Sequence, residues 1–283
     1  MAEILREQKY TGERALFASA DLKLERCTFA DGESPLKESR ALTLEGCLFQ
    51  WKYPLWYCRD VTAEDCVWFK DARAGVWYTE NVSVRRCVID APKNFRRCRD
   101  LTLEDVSFSD AAETLWTCEG VRLKNVTARG DYFGMNSRDL TIENLTLYGN
   151  YGFDGAKDVR LKNCKLLTKD AFWNCENVTA ENCFISGEYL GWNSKNVTLI
   201  GCTVESLQGL CYIDTLVMKN CVLLNTTLAF EYSTVEADLR GKIDSVFNPS
   251  GGRITADRIG ELILEKDRID PGKTRITVRE GTV

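Results

Sequence analysis

The 283-residue sequence contains no histidine. That absence removes every scheme in which an imidazole acts as general base, orients a nucleophile or ligates a metal. Carboxylates, lysine and arginine remain as the groups able to carry chemistry. Proline is also scarce, at five residues, and no linker-like or low-complexity run divides the chain. With 44% apolar residues the composition is that of a folded chain with a continuous core. No stretch approaches the roughly 18 apolar residues of a membrane span. The start, Met1-Ala2-Glu3-Ile4-Leu5-Arg6-Glu7, lacks the apolar run of a signal peptide. Taken as full length, the chain is therefore expected in the cytoplasm, without a membrane partner. An excess of positive charge is missing as well: the net charge is −5 and the pI is near 5.2. No nucleic-acid partner is expected, because that binding rests on accumulated Lys and Arg.

What the sequence does contain is a repeat. Asp158-Val159-Arg160-Leu161-Lys162-Asn163-Cys164-Lys165-Leu166 exemplifies a pattern that starts again at Asp21, Ala41, Asp60, Asn81, Asp100, Gly120, Asp139, Asn177, Asn196 and Thr215. A period near twenty residues, with alternation of two rather than helical spacing, signals a solenoid whose coils bury their apolar faces only against one another. The expected fold is all-β: a single-stranded parallel β-helix of about 11–13 coils, right-handed by the chirality of parallel crossovers. It is read as one domain over residues 1–283. Residues 1–20 would cap the open strand edge, 21–234 form the regular coils, and 235–283 supply the last coils and a C-terminal cap.

Two corner positions explain much of the remaining composition. Asn125, Asn144, Asn163, Asn182 and Asn220, with Asp65 and Asp105, form a polar column suited to left-handed backbone angles and to ladders of side-chain amides. Cys27, Cys47, Cys66, Cys87, Cys164, Cys183, Cys202 and Cys221 share a column with Val106, Val126 and Leu145, so cysteine acts there as a small apolar core residue. A second small column holds Ser39, Cys58, Thr79, Cys98, Cys118, Ser137, Ala156, Cys175 and Ser194. The thirteen cysteines are an odd number without metal-ligand spacing, which argues for reduced thiols and for no metal site. The six Asn-x-Ser/Thr matches follow the repeat and are read as register rather than glycosylation.

The third strand of each coil is the distinctive one. With Leu55, Val76, Phe95, Leu115, Phe153 and Phe172 facing the core, their neighbours Trp56, Trp77, Arg96, Trp116, Asp154, Trp173 and Trp192 face outward. Three residues earlier a parallel column holds Tyr53, Lys93, Glu113, Tyr132, Tyr151, Asp170 and Tyr189. Arg73, Lys169 and Glu188 extend the charged part of this wall. An exposed aromatic stripe marks a ligand groove or partner surface, and rings interleaved with charges suit carbohydrate or another small polar ligand. The competing reading is structural cover, with the tryptophans packed under loops.

The segments Gly32-Glu33-Ser34-Pro35-Leu36-Lys37, Lys52-Tyr53-Pro54-Leu55-Trp56-Tyr57, Ala91-Pro92-Lys93-Asn94-Phe95-Arg96 and Lys169-Asp170-Ala171-Phe172-Trp173-Asn174 resemble a bacterial family carried as a domain of unknown function. The coil pattern is similar to the right-handed β-helix of the pectin-lyase-like superfamily. The resemblance implies fold and family and transfers no catalytic residue. The wider superfamily implies polysaccharide lyases, glycoside hydrolases, esterases and epimerases, along with inactive binding proteins, and fold alone does not choose among them.

Glycoside hydrolysis needs two carboxyls flanking the bond. Glu113 and Asp131 on adjacent coils, with Asp154 and Asp170 on the same wall, are the candidates. Elimination from a uronate would instead use Lys93 as base, with cations or calcium offsetting the sugar carboxylate. Otherwise no cofactor is called for. The sequence thus supports a hydrolase or lyase acting on a short acidic oligosaccharide or glycoside. The alternatives are a non-catalytic β-helix that binds a sugar or protein through the same wall, and a self-associating scaffold forming a homo-oligomer.

Overall fold

The computed structural model describes residues 3–280. Among them the only helix is a single 3₁₀ turn, Pro271–Lys273, and all other regular structure is strand. No helix among the described residues is long and apolar enough to cross a membrane. The chain forms two compact units, residues 1–145 and 146–283, and each is a parallel β-solenoid.

In the first unit the leading strands of successive coils are Glu3–Arg6, Ala20–Glu25, Arg40–Glu45, Arg59–Glu64, Glu80–Arg85, Arg99–Glu104 and Glu119–Arg129. Each pairs in parallel with the next, as in Leu22↔Leu42↔Val61 and Val82↔Leu101↔Val121. In the second unit the column runs through Lys157–Lys162, Glu176–Glu181, Lys195–Ile200, Asp214–Leu224, Thr234–Arg240, Gly251–Ala256 and Thr274–Val278. With Arg138–Asn150, fifteen leading strands are present among the described residues, against the 11–13 coils expected. The additional coils lie at the ends. Glu3–Arg6 pairs with Leu22–Glu25, and Gly252–Ala256 pairs with Thr274–Val278, although neither end carries the corner asparagine or the cysteine. Main-chain pairing needs only an extended neighbour in register, so it continues where the side-chain signature has faded.

The alternation read from the sequence is the alternation of burial. Leu22, Leu24, Cys27 and Phe29 are buried, and so are their counterparts coil after coil. Inside the first unit the aromatic rings lie directly above one another: Tyr10 on Phe29 at 5.2 Å, Phe29 on Phe49 at 5.1 Å and Phe49 on Trp68 at 4.8 Å. The corner residues take left-handed angles, with φ of 54° at Asn125 and 56° at Asn144. Their amides form the expected ladder, Asn144 donating to Asn125 and Asn125 to Asp105, each at 2.9 Å.

All thirteen cysteines are free thiols and buried. The second small column does more than fill space. Ser137 Oγ donates to the Leu115 carbonyl at 2.7 Å and accepts from the Cys118 amide at 2.8 Å. Thr79 and Ser194 make the same double bridge to Leu55 and Cys58, and to Phe172 and Cys175. The thiols of Cys58, Cys118 and Cys175 reach the carbonyls of Leu36, Phe95 and Phe153 at 3.1, 3.0 and 2.9 Å. A small donor at this position closes the corner after the third strand, and Ser, Thr and Cys alternate there, with Ala156 the member of the column that lacks one.

Two outcomes are expected. Ser137→Ala leaves a buried carbonyl and a buried amide unpaired and should cost about 1–3 kcal/mol in urea denaturation, whereas Ser137→Cys should stay within roughly 1 kcal/mol of the parent. Burial pushes the thiols of Cys58 and Cys211 up to about 12, well above the ~8.5 of an unfolded chain. Between those values the unfolded chain releases protons that the folded one retains, so stability should fall as pH rises from about 9. Each such thiol contributes a loss of about 1.4 kcal/mol per pH unit. Urea midpoints at pH 8 and pH 10, with Cys58→Ser reducing the difference, check this.

Candidate functional site

The third strands are short. Leu55–Trp56 pairs with Val76–Trp77, and single bridges continue from Trp77 to Arg96 and from Arg96 to Trp116. Leu55, Val76, Phe95 and Leu115 are all at most 1% exposed, so the alternate residues Trp56, Trp77, Arg96 and Trp116 point outward and are half-buried. The wall of the sequence reading exists in each unit, in two different states.

In the first unit the wall is closed on itself. Trp56 and Trp77 stack at 4.9 Å with planes 5° apart, and Tyr53 leans on Trp56 at 4.6 Å. The Arg96 guanidinium lies between two indoles, 4.6 Å from Trp77 and 4.3 Å from Trp116. Coils spaced about 4.8 Å apart bring flat groups into van der Waals contact, so these ring faces are occupied by neighbours, leaving a sugar only the edges. The indole N–H groups are also committed, Trp56 to the Ala74 carbonyl at 2.6 Å and Trp77 to that of Lys93 at 2.7 Å.

The charges of this wall pair with one another. Glu113 accepts from Arg96 at 2.9 Å and bridges Lys93 at 3.1 Å. The Glu113 amide donates to the Asp131 carbonyl at 2.9 Å, which sets the two acids on adjacent coils as expected. The Glu113 carboxylate and its two cations are thus committed to each other across the coils rather than presented to a ligand. Arg73, Asp131 and Tyr132 lie exposed on the same unit.

In the second unit the stack opens. Trp173 and Trp192 occupy adjacent coils, with the Asn174 amide donating to the Trp192 carbonyl at 3.0 Å. Their rings nevertheless make no contact with each other among the described residues. Trp173 lies against Tyr151 at 6.4 Å, and Trp192 turns to Tyr212 at 4.8 Å with Tyr189 edge-on at 5.6 Å. A cavity of about 390 Å³ results, lined by Tyr151, Lys169, Asp170, Trp173, Tyr189 and Trp192.

Asp170 is the unusual member. As a residue it is 3% exposed; its carboxylate opens onto the cavity and takes no hydrogen bond or salt bridge among the described residues. Burial raises its carboxyl above the ordinary carboxylate range; Lys169 acts against that shift, while Glu188 and Asp154 reinforce it. Lys169 is itself engaged, 3.0 Å from Glu188 and 5.5 Å from the Tyr189 ring centre. Asp154 is also raised by burial, against a hydrogen bond from Asn174 at 3.3 Å. Asn174 and Tyr212 were not singled out in the sequence. Their signal was only that both occupy the left-handed corner that closes the third strand.

The cavity therefore gathers Tyr151, Lys169, Asp170, Trp173, Tyr189 and Trp192, with Glu188 and Asp154 acting on it through charge. Lys93, Arg96, Glu113 and Trp56, Trp77 and Trp116 belong to the closed stack. Among the described residues no three acidic or cysteine side chains converge as metal ligands.

Fold and site together define a parallel β-solenoid with an aromatic, acid-bearing cavity on its third-strand face. The chain belongs to the family described as Protein of unknown function (DUF3737), whose profile matches residues 3–277. No curated protein matches it. Among solved structures it is similar to the tailspike protein of E. coli bacteriophage HK620 in complex with pentasaccharide, at 10% identity and a TM-score of 0.46, over 92% of this chain and 70% of that one. It is also similar to the Azotobacter vinelandii mannuronan C-5 epimerase AlgE6 A-module, at 13% identity and 0.35, over 100% and 91%. PfbA, a surface adhesin of Streptococcus pneumoniae, follows at 7% identity and 0.26, over 99% and 84%. At these identities and scores the likeness is one of general architecture and bears on neither ligand nor activity.

The closed stack makes a stability prediction. Arg96→Ala removes the cation between two indoles and leaves Glu113 with one partner. It should cost about 1–3 kcal/mol and weaken the near-ultraviolet circular dichroism of the tryptophans. Arg96→Lys, which lacks the planar fork, should restore only part of both.

Proposed function

We propose that this protein binds a short carbohydrate in the cavity of the second unit and hydrolyses a glycosidic bond there. The observation that carries the reading is Asp170: a largely buried residue whose carboxylate opens, without a salt bridge, into a cavity lined by four aromatic side chains. Aromatic lining with a few convergent polar groups is the usual composition of a small-molecule site, and the cavity volume suits one or two sugar rings. A buried, uncompensated negative charge opposes folding and favours positive charge developing beside it. The oxocarbenium-like transition state of glycoside hydrolysis is such a charge.

The roles follow from the surroundings. Asp170 is the charged carboxylate facing the sugar. We assign the proton for the leaving oxygen to Asp154, whose carboxyl burial raises against the hydrogen bond from Asn174, and whose charge, when ionised, would make ionising Asp170 harder. Tyr151, Trp173, Tyr189 and Trp192 hold the rings, and the Lys169–Glu188 pair fixes the rim. Elimination has less support, since the lysine it would call on, Lys93, is engaged by Glu113 and lies in the closed stack.

The two carboxyls make separable predictions. Asp170→Asn should raise the melting temperature at pH 7, because it removes a charge that burial disfavours. A raised folded pKa means that the parent regains this stability as pH falls below the carboxyl's folded value, so the difference should shrink towards pH 4. Both Asp170→Asn and Asp154→Asn should lower turnover of aryl glycosides and oligosaccharides at least about 100-fold while tryptophan fluorescence still reports binding. Full activity in both variants would remove the hydrolytic reading.

A further inference from the structure

The charge around the cavity is one-sided. Its only cation, Lys169, is bound to Glu188 at 3.0 Å, so that pair is close to neutral. Asp170 takes no salt bridge, with Lys169 acting on it only at a distance, and the site carries a local excess of negative charge. An anionic sugar entering here would meet the Asp170 carboxylate and a lysine already paired with Glu188. A neutral sugar would leave Asp170 buried beside it without a counter-charge, an arrangement that costs free energy as the remaining water is expelled. A cationic group would relieve that cost, and aromatic side chains around a carboxylate are a favourable setting for an ammonium, since ring faces attract cations as well.

The geometry points to a ligand that bears an amine: an amino sugar or aminoglycoside whose ammonium group pairs with the Asp170 carboxylate between the side chains of Tyr151, Trp173, Tyr189 and Trp192. This specifies the ligand of the cavity proposed above and replaces the acidic oligosaccharide expected from the sequence. It rests on the carbohydrate reading only for the body of the ligand. The charge argument concerns Asp170, Lys169 and Glu188 alone.

The test compares four probes on the full-length protein at pH 7: chito-oligosaccharides free of N-acetyl groups, glucose oligomers of the same length, glucuronate, and tetramethylammonium. Tryptophan fluorescence and isothermal calorimetry report binding. The amino oligosaccharide should bind at least about 10-fold more tightly than its neutral counterpart, with glucuronate weakest. The preference should vanish in Asp170→Asn, whose raised melting temperature shows that it is folded. Equal affinity for amino and neutral sugars, or tighter binding of glucuronate, overturns the inference and leaves the carbohydrate site standing. Tetramethylammonium binding that depends on Asp170, with no sugar bound, keeps the cation site and removes the carbohydrate reading. Failure of all four probes to bind removes both.

Discussion

Everything in this structure depends on hydrogen bonding between consecutive coils in parallel register. That pairing fixes the distance from a residue to its counterpart about 20 residues later at roughly 4.8 Å, which is also the contact distance of flat groups. Each column is therefore obliged to contain side chains that tolerate their own kind. Phenylalanines and tryptophans stack in the core of the first unit, and asparagines form ladders at the corners. Like charges do stand in register, as at Glu25, Glu45 and Glu64 and at Arg40 and Arg59, but other charged stretches alternate in sign. Arg59, Glu80, Arg99, Glu119 and Arg138 do so, with each glutamate placed between two arginines. Such exposed pairs stabilise little individually, but the same column written in one sign would repel at every step.

The same constraint closes the outward wall of the first unit. Trp56, Trp77, Arg96 and Trp116 satisfy one another because they are planar and one coil apart. A cavity needs the stack to fail, and in the second unit it does. Trp192 finds Tyr212, Trp173 finds Tyr151, and the space beside Asp170 stays open. An acid placed there without a partner works against stability. Elsewhere in the molecule Glu113, Glu119 and Asp65 are paired with cations, and the buried Glu231 accepts from Gln208.

The solenoid was legible because its signals are local and repeated: alternation within strands, left-handed corners at Asn and Asp, and a period set by coil length. The parity of the third strand was legible for the same reason, and it placed the tryptophans outward. The wall's chemistry was much less so. Glu113 and Asp170 occupy the same column three residues before an outward position, and the sequence presents both as candidate acids. One lies beside Lys93 and Arg96 from the preceding coil, and the other lies in a gap. Cysteine in the second small column reads as an apolar filler beside Ala156. Only the neighbouring carbonyls of Leu36, Phe95 and Phe153 reveal it as a donor interchangeable with Ser137 and Thr79.

The sequence by itself determined the coil, its period, the inward and outward faces, and the identity of every column, because each depends on residues close in the chain and on their recurrence. The tertiary structure decided which members of a column meet. That depends on ring orientation, on which charge lies one coil away and on where stacking breaks, and these are properties of neighbours about 20 residues apart that no single repeat contains.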